Sequence, residues 1–243
     1  MVWTIGRRES AGRSKKGHRW WFALLLAWIL FVLYPNPGKL VTSLYRLHRP
    51  PVDAALVSEL ARGLEGLTPR EIQAFVYEQL PYRYDWAAYN IPWYFPTLDE
   101  ALLKGVGDCK ARYVLFASLL DALEIPYRKN ISLTHIWVEY DGKLENRVEN
   151  GRETLIAVDE TGRTRVRLPR ADLQRSWASF RHAFWEIMPI GRKMLLFTGF
   201  PVVYGLSGLV ALLGRGGSFS AKWRSILRRV LFGRVRTEPP TFV

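Results

Sequence analysis

The chain has 243 residues, with 35 Lys and Arg against 22 Asp and Glu and a net charge of +13. Residues 1–19 hold six basic side chains and one acid, and residues 214–243 hold seven and one, so the middle is close to neutral. A nucleic-acid-binding core needs a basic face, and this one has none. The single cysteine, Cys109, excludes a disulfide framework and a cysteine-based zinc site. The length suits one ordinary domain with additional segments.

Each basic end adjoins an apolar run. Residues 20–34, WWFALLLAWILFVLY, carry no charge, but fifteen residues is short beside the usual membrane span of about 20. A signal-peptide core has the same composition. No small-x-small cleavage site follows closely, however, and PNPG stops the helix. The expectation is an uncleaved anchor, with Arg19 snorkelling and Trp20 and Trp21 at the interface. Residues 194–213 are a second uncharged run, whose Gly and Pro are tolerated in membrane helices. A buried core helix is the alternative for each.

Basic tails outside both runs predict one orientation in the cytoplasmic (inner) membrane. Both termini lie in the cytoplasm, and residues 38–191 face the periplasm or cell exterior. Arg192 and Lys193 on the far side weigh against it, weakly beside the seven basic residues of the tail. In that tail Trp223, Ile226, Leu227, Val230 and Leu231 share one helical face among Arg and Lys. Such a basic amphipathic helix suits an anionic leaflet.

In the middle, an apolar period over residues 52–64 predicts a helix after Pro50-Pro51. Thr68, Pro69 and Glu71 predict a capped start for the next. The aromatic stretch PYRYDWAAYNIPWYFP holds too many prolines for a regular element. Thr97 and Glu100 repeat the capping grammar, and Gly105 ends that helix. Asp108 then caps a helix beginning at Cys109, with Val114, Leu115, Leu119, Ala122 and Leu123 as its apolar stripe, ended by Pro126. ISLTHIWVEYDG and ETLIAVDETG alternate as strands, GRTRVRLP offers a third, and the polar GKLENRVENGR lies between the first two. Residues 170–189 read as helical. Helices followed by strands predict an α+β domain.

A lone cysteine is most often a small buried hydrophobe. Cys109, though, stands in the first turn of its helix, where free amides and the helix dipole favour a thiolate. A thiolate nucleophile needs a partner for its proton and an acceptor to orient that partner. His18 is in the basic tail, His48 is beside Pro50 and His182 is near the second apolar run, so His135, within a strand pattern, is the candidate. If the strands around His135 and Asp159 form an antiparallel hairpin, the two oppose each other across a turn centred at Arg147, about 5 Å apart at Cβ. A turn aspartate before Gly162 is the other reading of Asp159, and Glu139 and Asp141 are rivals for the orienting acid.

The segments GVGDCKARYVLFASLLDALEIPYR, THIWVEY and IAVDET together resemble the transglutaminase-like, papain-like cysteine superfamily over about residues 68–165. Matching positions are Cys109, Ile125-Pro126 with Arg128, His135 with Trp137 and Glu139, and Asp159. The chain departs from the family pattern at Glu160, where proline is usual, and in the longer separation of Asp159 from His135.

The resemblance implies helices packed on an antiparallel sheet, here flanked by two transmembrane helices. The segments are then a tail (1–19), an anchor (20–34), the catalytic domain (38–191), a second span (194–213) and a tail (214–243). It implies a Cys109–His135–Asp159 triad that attacks an amide or ester and passes the acyl group to water or an amine. The Cys109 amide and an aromatic side chain (Tyr82, Tyr84 or Trp93) are candidate oxyanion donors. No metal or organic cofactor is required. Peptides, envelope proteins or peptidoglycan stems are the natural substrates at that location, with the membrane as the other partner and no nucleic acid. The competing expectation is a scaffold that keeps the fold without catalysis and binds a partner at the membrane.

Overall fold

The computed structural model describes residues 15–159, 161, 163–167 and 173–215. Both expected tails lie almost wholly outside the described residues. The chain divides into two compact units, Leu30–Lys193 and a second comprising Met1–Ile29 with Met194–Val243.

The larger unit is mixed α+β. Most of α1 (Lys15–Leu33) belongs to the other unit, but its end enters this one and is followed by α2 (Gly38–His48), α3 (Ser58–Arg62) and α4 (Pro69–Gln79). Next come α5 (Asp85–Tyr89), α6 (Leu98–Lys104) and α7 (Cys109–Ala122). The strands follow as β1 (Arg128–Ile131), β2 (Ile136–Glu139), β3 (Ile156–Val158) and β4 (Thr164–Val166). After them come α8 (Leu173–Arg181), a π-helical turn (His182–Glu186) and α9 (Ile190–Arg215), whose first residues close the unit.

The local signals near the cysteine form as expected. Thr68 with Glu71 and Thr97 with Glu100 both close capping boxes, each satisfying amides that a helix start leaves free. Gly105 ends α6 in the left-handed region at φ +60°. The Asp108 side chain accepts the Lys110 amide and starts α7 at Cys109.

Elsewhere the elements differ from expectation. Only Ser58–Arg62 of the stretch 52–64 is α-helical, with turns on either side. The aromatic stretch does contain a short helix, Asp85–Tyr89. The expected stripe on α7 is wider than predicted, with Ala111 and every residue from Tyr113 to Leu120 buried. This helix is the centre of the core: α3, α4 and α6 pack against it, and β2 covers another side. Its own Leu115, Leu119 and Leu120 are fully enclosed, as are Ile72, Leu80, Phe95 and Leu98 around it.

The strand pattern at ISLTHIWVEYDG is two strands, not one. Ile131 pairs with Ile136, and residues 132–135 turn between them, with the Ser132 amide donating to the His135 carbonyl (2.8 Å). The sheet is antiparallel in the order β2-β1-β3-β4. β1 therefore lies between the strands that an opposed His135 and Asp159 would require to be neighbours.

α2 packs onto the same unit. Ser43 is fully buried and its Oγ accepts the Phe95 amide (3.1 Å), while Arg46 donates to the Phe95 carbonyl (2.9 Å) and pairs with Glu100 (3.1 Å). Among the described residues, no single helix is long and apolar enough to cross a membrane. The pair Trp21–Leu33 and Gly38–His48, bent by 73° at the proline-rich break, passes that test together. In the smaller unit, Trp28 donates to the Leu195 carbonyl (2.9 Å) and covers Gly199, where a Cβ would lie 2.2 Å from its ring. Large apolar side chains face outward on both of its helices, including Phe22, Leu26, Met194 and Phe197.

Candidate active site

Cys109 occupies the first position of α7, and its turn is held from two sides. The segment before α5 runs beside it: Arg83 donates to the Gly107 carbonyl (2.9 Å), and the Gly107 amide donates to the Pro81 carbonyl (3.2 Å). This backbone contact, a bridge between Tyr82 and Gly107, brings Tyr82 to the cysteine. Gly107 must be glycine because a Cβ there would lie 2.3 Å from the Ala111 Cβ.

Beneath the turn, the buried Lys110 ammonium pairs with Asp108 and with Asp85 (2.9 Å), and Asp85 also accepts the Tyr94 amide (2.9 Å). Burial pulls the ammonium down, but the two carboxylates outweigh it and hold Lys110 well above its ordinary value. Burial and the nearby Asp108 push Asp85 up to about 7, with Lys110 opposing. One ammonium thus serves two carboxylates, and Asp85, whose Oδ1 has no hydrogen-bond partner, is the acid left short of compensation.

His135 and Cys109 line one open cleft, with Tyr77, Tyr82, Arg112 and Trp137 among its walls. The His135 imidazole lies on the same cleft as Cys109, near enough for the sulfur's charge to act on it. Its Nε2 donates to Glu149 Oε1 at 2.9 Å, so Nδ1 is the nitrogen left to face the sulfur. Trp137 stacks on the ring with centroids 5.9 Å apart, fixing its plane. Burial disfavours the imidazolium, but the Cys109 thiolate and then Glu149 outweigh it and raise His135 to about 10. Desolvation is thus opposed by nearby negative charge and by hydrogen bonding, and the charged partners win.

Glu149 is held as firmly as the imidazole it receives. Its side chain is 7 % exposed and also takes Lys143 Nζ (3.0 Å) and Asn146 Nδ2 (3.3 Å). The Asn146 side chain in turn accepts the Glu149 amide (2.7 Å). Burial raises the Glu149 carboxyl, but His135 and Lys143 bring it below its ordinary value overall.

Asp159 does not reach His135. In the register of the sheet Val158 pairs with Lys129, and Lys129 with Val138, so Asp159 lies level with the Glu139 end of β2. His135 lies off the other end, four residues away at about 3.3 Å each. Asp159 is half-buried and caps the β3–β4 turn, accepting Thr161 Oγ1 (2.7 Å) and the Arg163 amide (2.9 Å). The hydrogen bond from Thr161, more than any charge, lowers its carboxyl. The rivals fall away as well: Glu139 accepts Trp137 Nε1 (3.0 Å), and Asp141 is exposed beside Arg128 (3.9 Å). The expected Cys109–His135–Asp159 constellation is therefore corrected to Cys109–His135–Glu149.

Of the three aromatic candidates, Tyr82 lines the cleft, and burial followed by the Cys109 charge raises its hydroxyl, which stays a proton donor. Tyr84 meets Tyr82 edge to face (5.2 Å) and is raised by the same two causes. Trp93 lies elsewhere, its ring facing Lys110 Nζ at 5.9 Å and its carbonyl accepting Tyr34. The Cys109 amide belongs to the first turn of α7, where helix amides have no intrahelical acceptor.

Among the described residues, no three His, Cys, Asp or Glu side chains converge to hold a metal ion. No protein-family model, curated protein or solved structure matches the chain.

Proposed function

We propose that the chain is a membrane-anchored cysteine acyl-transfer enzyme of the transglutaminase-like type, acting on amides of peptide or protein substrates. The observation that carries this reading is Cys109 and His135 on one cleft, with the His135 ring bonded to the buried Glu149 at 2.9 Å. A buried structural cysteine needs none of these partners. The thiolate attacks the carbonyl carbon and the S–C bond forms as negative charge moves to oxygen. The Cys109 amide and the Tyr82 hydroxyl are the nearby donors for that oxyanion. Collapse breaks the C–N bond, and the His135 imidazolium gives its proton to the departing amine. Water or a second amine then attacks the thioester, losing its proton to His135 and releasing Cys109. Glu149 holds the ring in one orientation and stabilises its charge throughout.

The membrane location rests on the two apolar runs, their basic flanks and the outward-facing apolar side chains of the smaller unit. Exposed apolar surface of that kind marks a partner or lipid contact. The reading places the larger unit in the periplasm or outside the cell, with both termini cytoplasmic.

Alkylation of the full-length chain in detergent tests the active-site reading, because Cys109 is its only thiol. Iodoacetamide is expected to react in mildly acidic solution, and His135→Ala to lose that reactivity. An inert thiol, or equal rates in both proteins at every pH, would overturn the reading in favour of a non-catalytic scaffold.

A further inference from the structure

Arg112 stands one turn after Cys109 on α7 and lines the same cleft. Its Nε donates to the Leu80 carbonyl (2.8 Å), which ties α7 to the end of α4. The guanidinium carbon lies 4.5 Å from the centre of the Tyr77 ring and 5.3 Å from that of Tyr82. A guanidinium carries its N–H groups in one plane, so contact with rings over its carbon does not use those donors. Only Nε is used by the fold. Among the described residues, no carboxylate comes within salt-bridge distance of Arg112, and the one acid in the cleft, Glu149, is committed to His135 and Lys143. A partly buried guanidinium beside a nucleophile, with no carboxylate of the protein on it, is a receptor for one.

We infer that Arg112 binds a carboxylate of the substrate next to the amide that Cys109 attacks, so that the enzyme selects peptides with a carboxylate at that position. This rests on the reading of Cys109 as the nucleophile. The carboxylate can be a C-terminal α-carboxylate or an Asp or Glu side chain, since a guanidinium fork pairs with either in the same two-point geometry. The imidazolium of His135 adds to the positive field in the cleft, but its Nε2 is committed to Glu149.

Reagents that carry their own carboxylate separate the possibilities in the full-length protein. Bromoacetyl-glycine presents an α-carboxylate, and its neutral control is bromoacetyl-glycine amide. Bromoacetyl-aspartate α-amide presents only a side-chain carboxylate, and its control is bromoacetyl-asparagine amide. Each alkylates Cys109 by forming a thioether as bromide leaves. For at least one acid–amide pair, the rate ratio at Cys109 is expected to exceed the same ratio with free glutathione about tenfold or more, the scale of a charge-assisted hydrogen bond. The pair that shows it identifies the source of the carboxylate.

Arg112→Gln is expected to bring the ratio down to the glutathione value, and Arg112→Lys to keep part of it. Should Arg112→Gln fail to fold, the Lys variant and the loss of preference at high salt decide the matter. A glutathione-like ratio in the unaltered protein, or a preference that survives Arg112→Gln, overturns the assignment. If neutral reagents still depend on His135 in that case, the nucleophile reading stands and only the Arg112 assignment fails. A thiol inert to all reagents overturns both.

Discussion

Replacing Glu149 by Gln keeps the volume and removes the charge, which isolates what the carboxylate does for His135. The hydrogen bond at 2.9 Å joins an imidazolium to a carboxylate that is 7 % exposed. Bonds to charged groups contribute about 1.5–3 kcal/mol, and each 1.4 kcal/mol is about a factor of ten. Loss of the charge should therefore slow Cys109 alkylation by about 10- to 150-fold. Glu149→Asp should restore part of the rate, since it keeps the charge at a longer reach.

Glu149→Gln also carries a stability cost. It leaves the Lys143 ammonium, 4 % exposed, without its anion, and breaking a buried pair costs about 3–5 kcal/mol. The remaining contacts of Lys143 with the Val138 carbonyl and the Tyr140 ring place the effect at the lower end. Iodoacetamide kinetics beside thermal melts separate the two effects. A folded Glu149→Gln protein that alkylates as fast as the unaltered chain would refute the reasoning.

Three further outcomes are expected. Asp159→Asn should leave Cys109 alkylation within about twofold of the unaltered rate, as for a surface site away from the cleft; a severe loss would return Asp159 to the site. Gly107→Ala should destabilise the protein by about 1–3 kcal/mol, since the new Cβ collides with Ala111 and the turn must shift. The double variant Gly107→Ala with Ala111→Gly should be destabilised by less than the sum of the two single variants in chemical denaturation, and simple additivity would place the strain elsewhere. Finally, His135 is raised in the folded state to about 10. Its stabilisation is fully present below the unfolded value of about 6.5 and is lost as pH rises through about 10. Melting temperatures of the unaltered chain should thus fall across that window relative to His135→Gln. Parallel curves would show that the imidazolium does not persist.

The parts of this protein readable from sequence are those set by near neighbours. A capping box links a residue to the third one after it, so Thr68 with Glu71 and Thr97 with Glu100 announce their helices directly. The start of α7 at Cys109 is equally local, because Asp108 caps it and Gly105 closes the helix before it. The sequence also singles out His135 as the partner of the thiol, since the other three histidines lie outside the strand and helix core.

Tertiary structure decided which acid serves His135. An alternating pattern looks the same whether a strand continues or folds back, so the turn at residues 132–135 was hidden inside it. That turn inserts β1 between β2 and β3 and sends Asp159 to the far end of the sheet. The vacant position beside His135 is filled from the polar segment between the strands, which has no periodicity to mark it. Glu149 reaches the ring only because Asn146 orders its loop and Lys143 supports its charge. Such contacts depend on loop closure and strand order, which the packing of β2 on α7 sets and residue spacing along the chain does not.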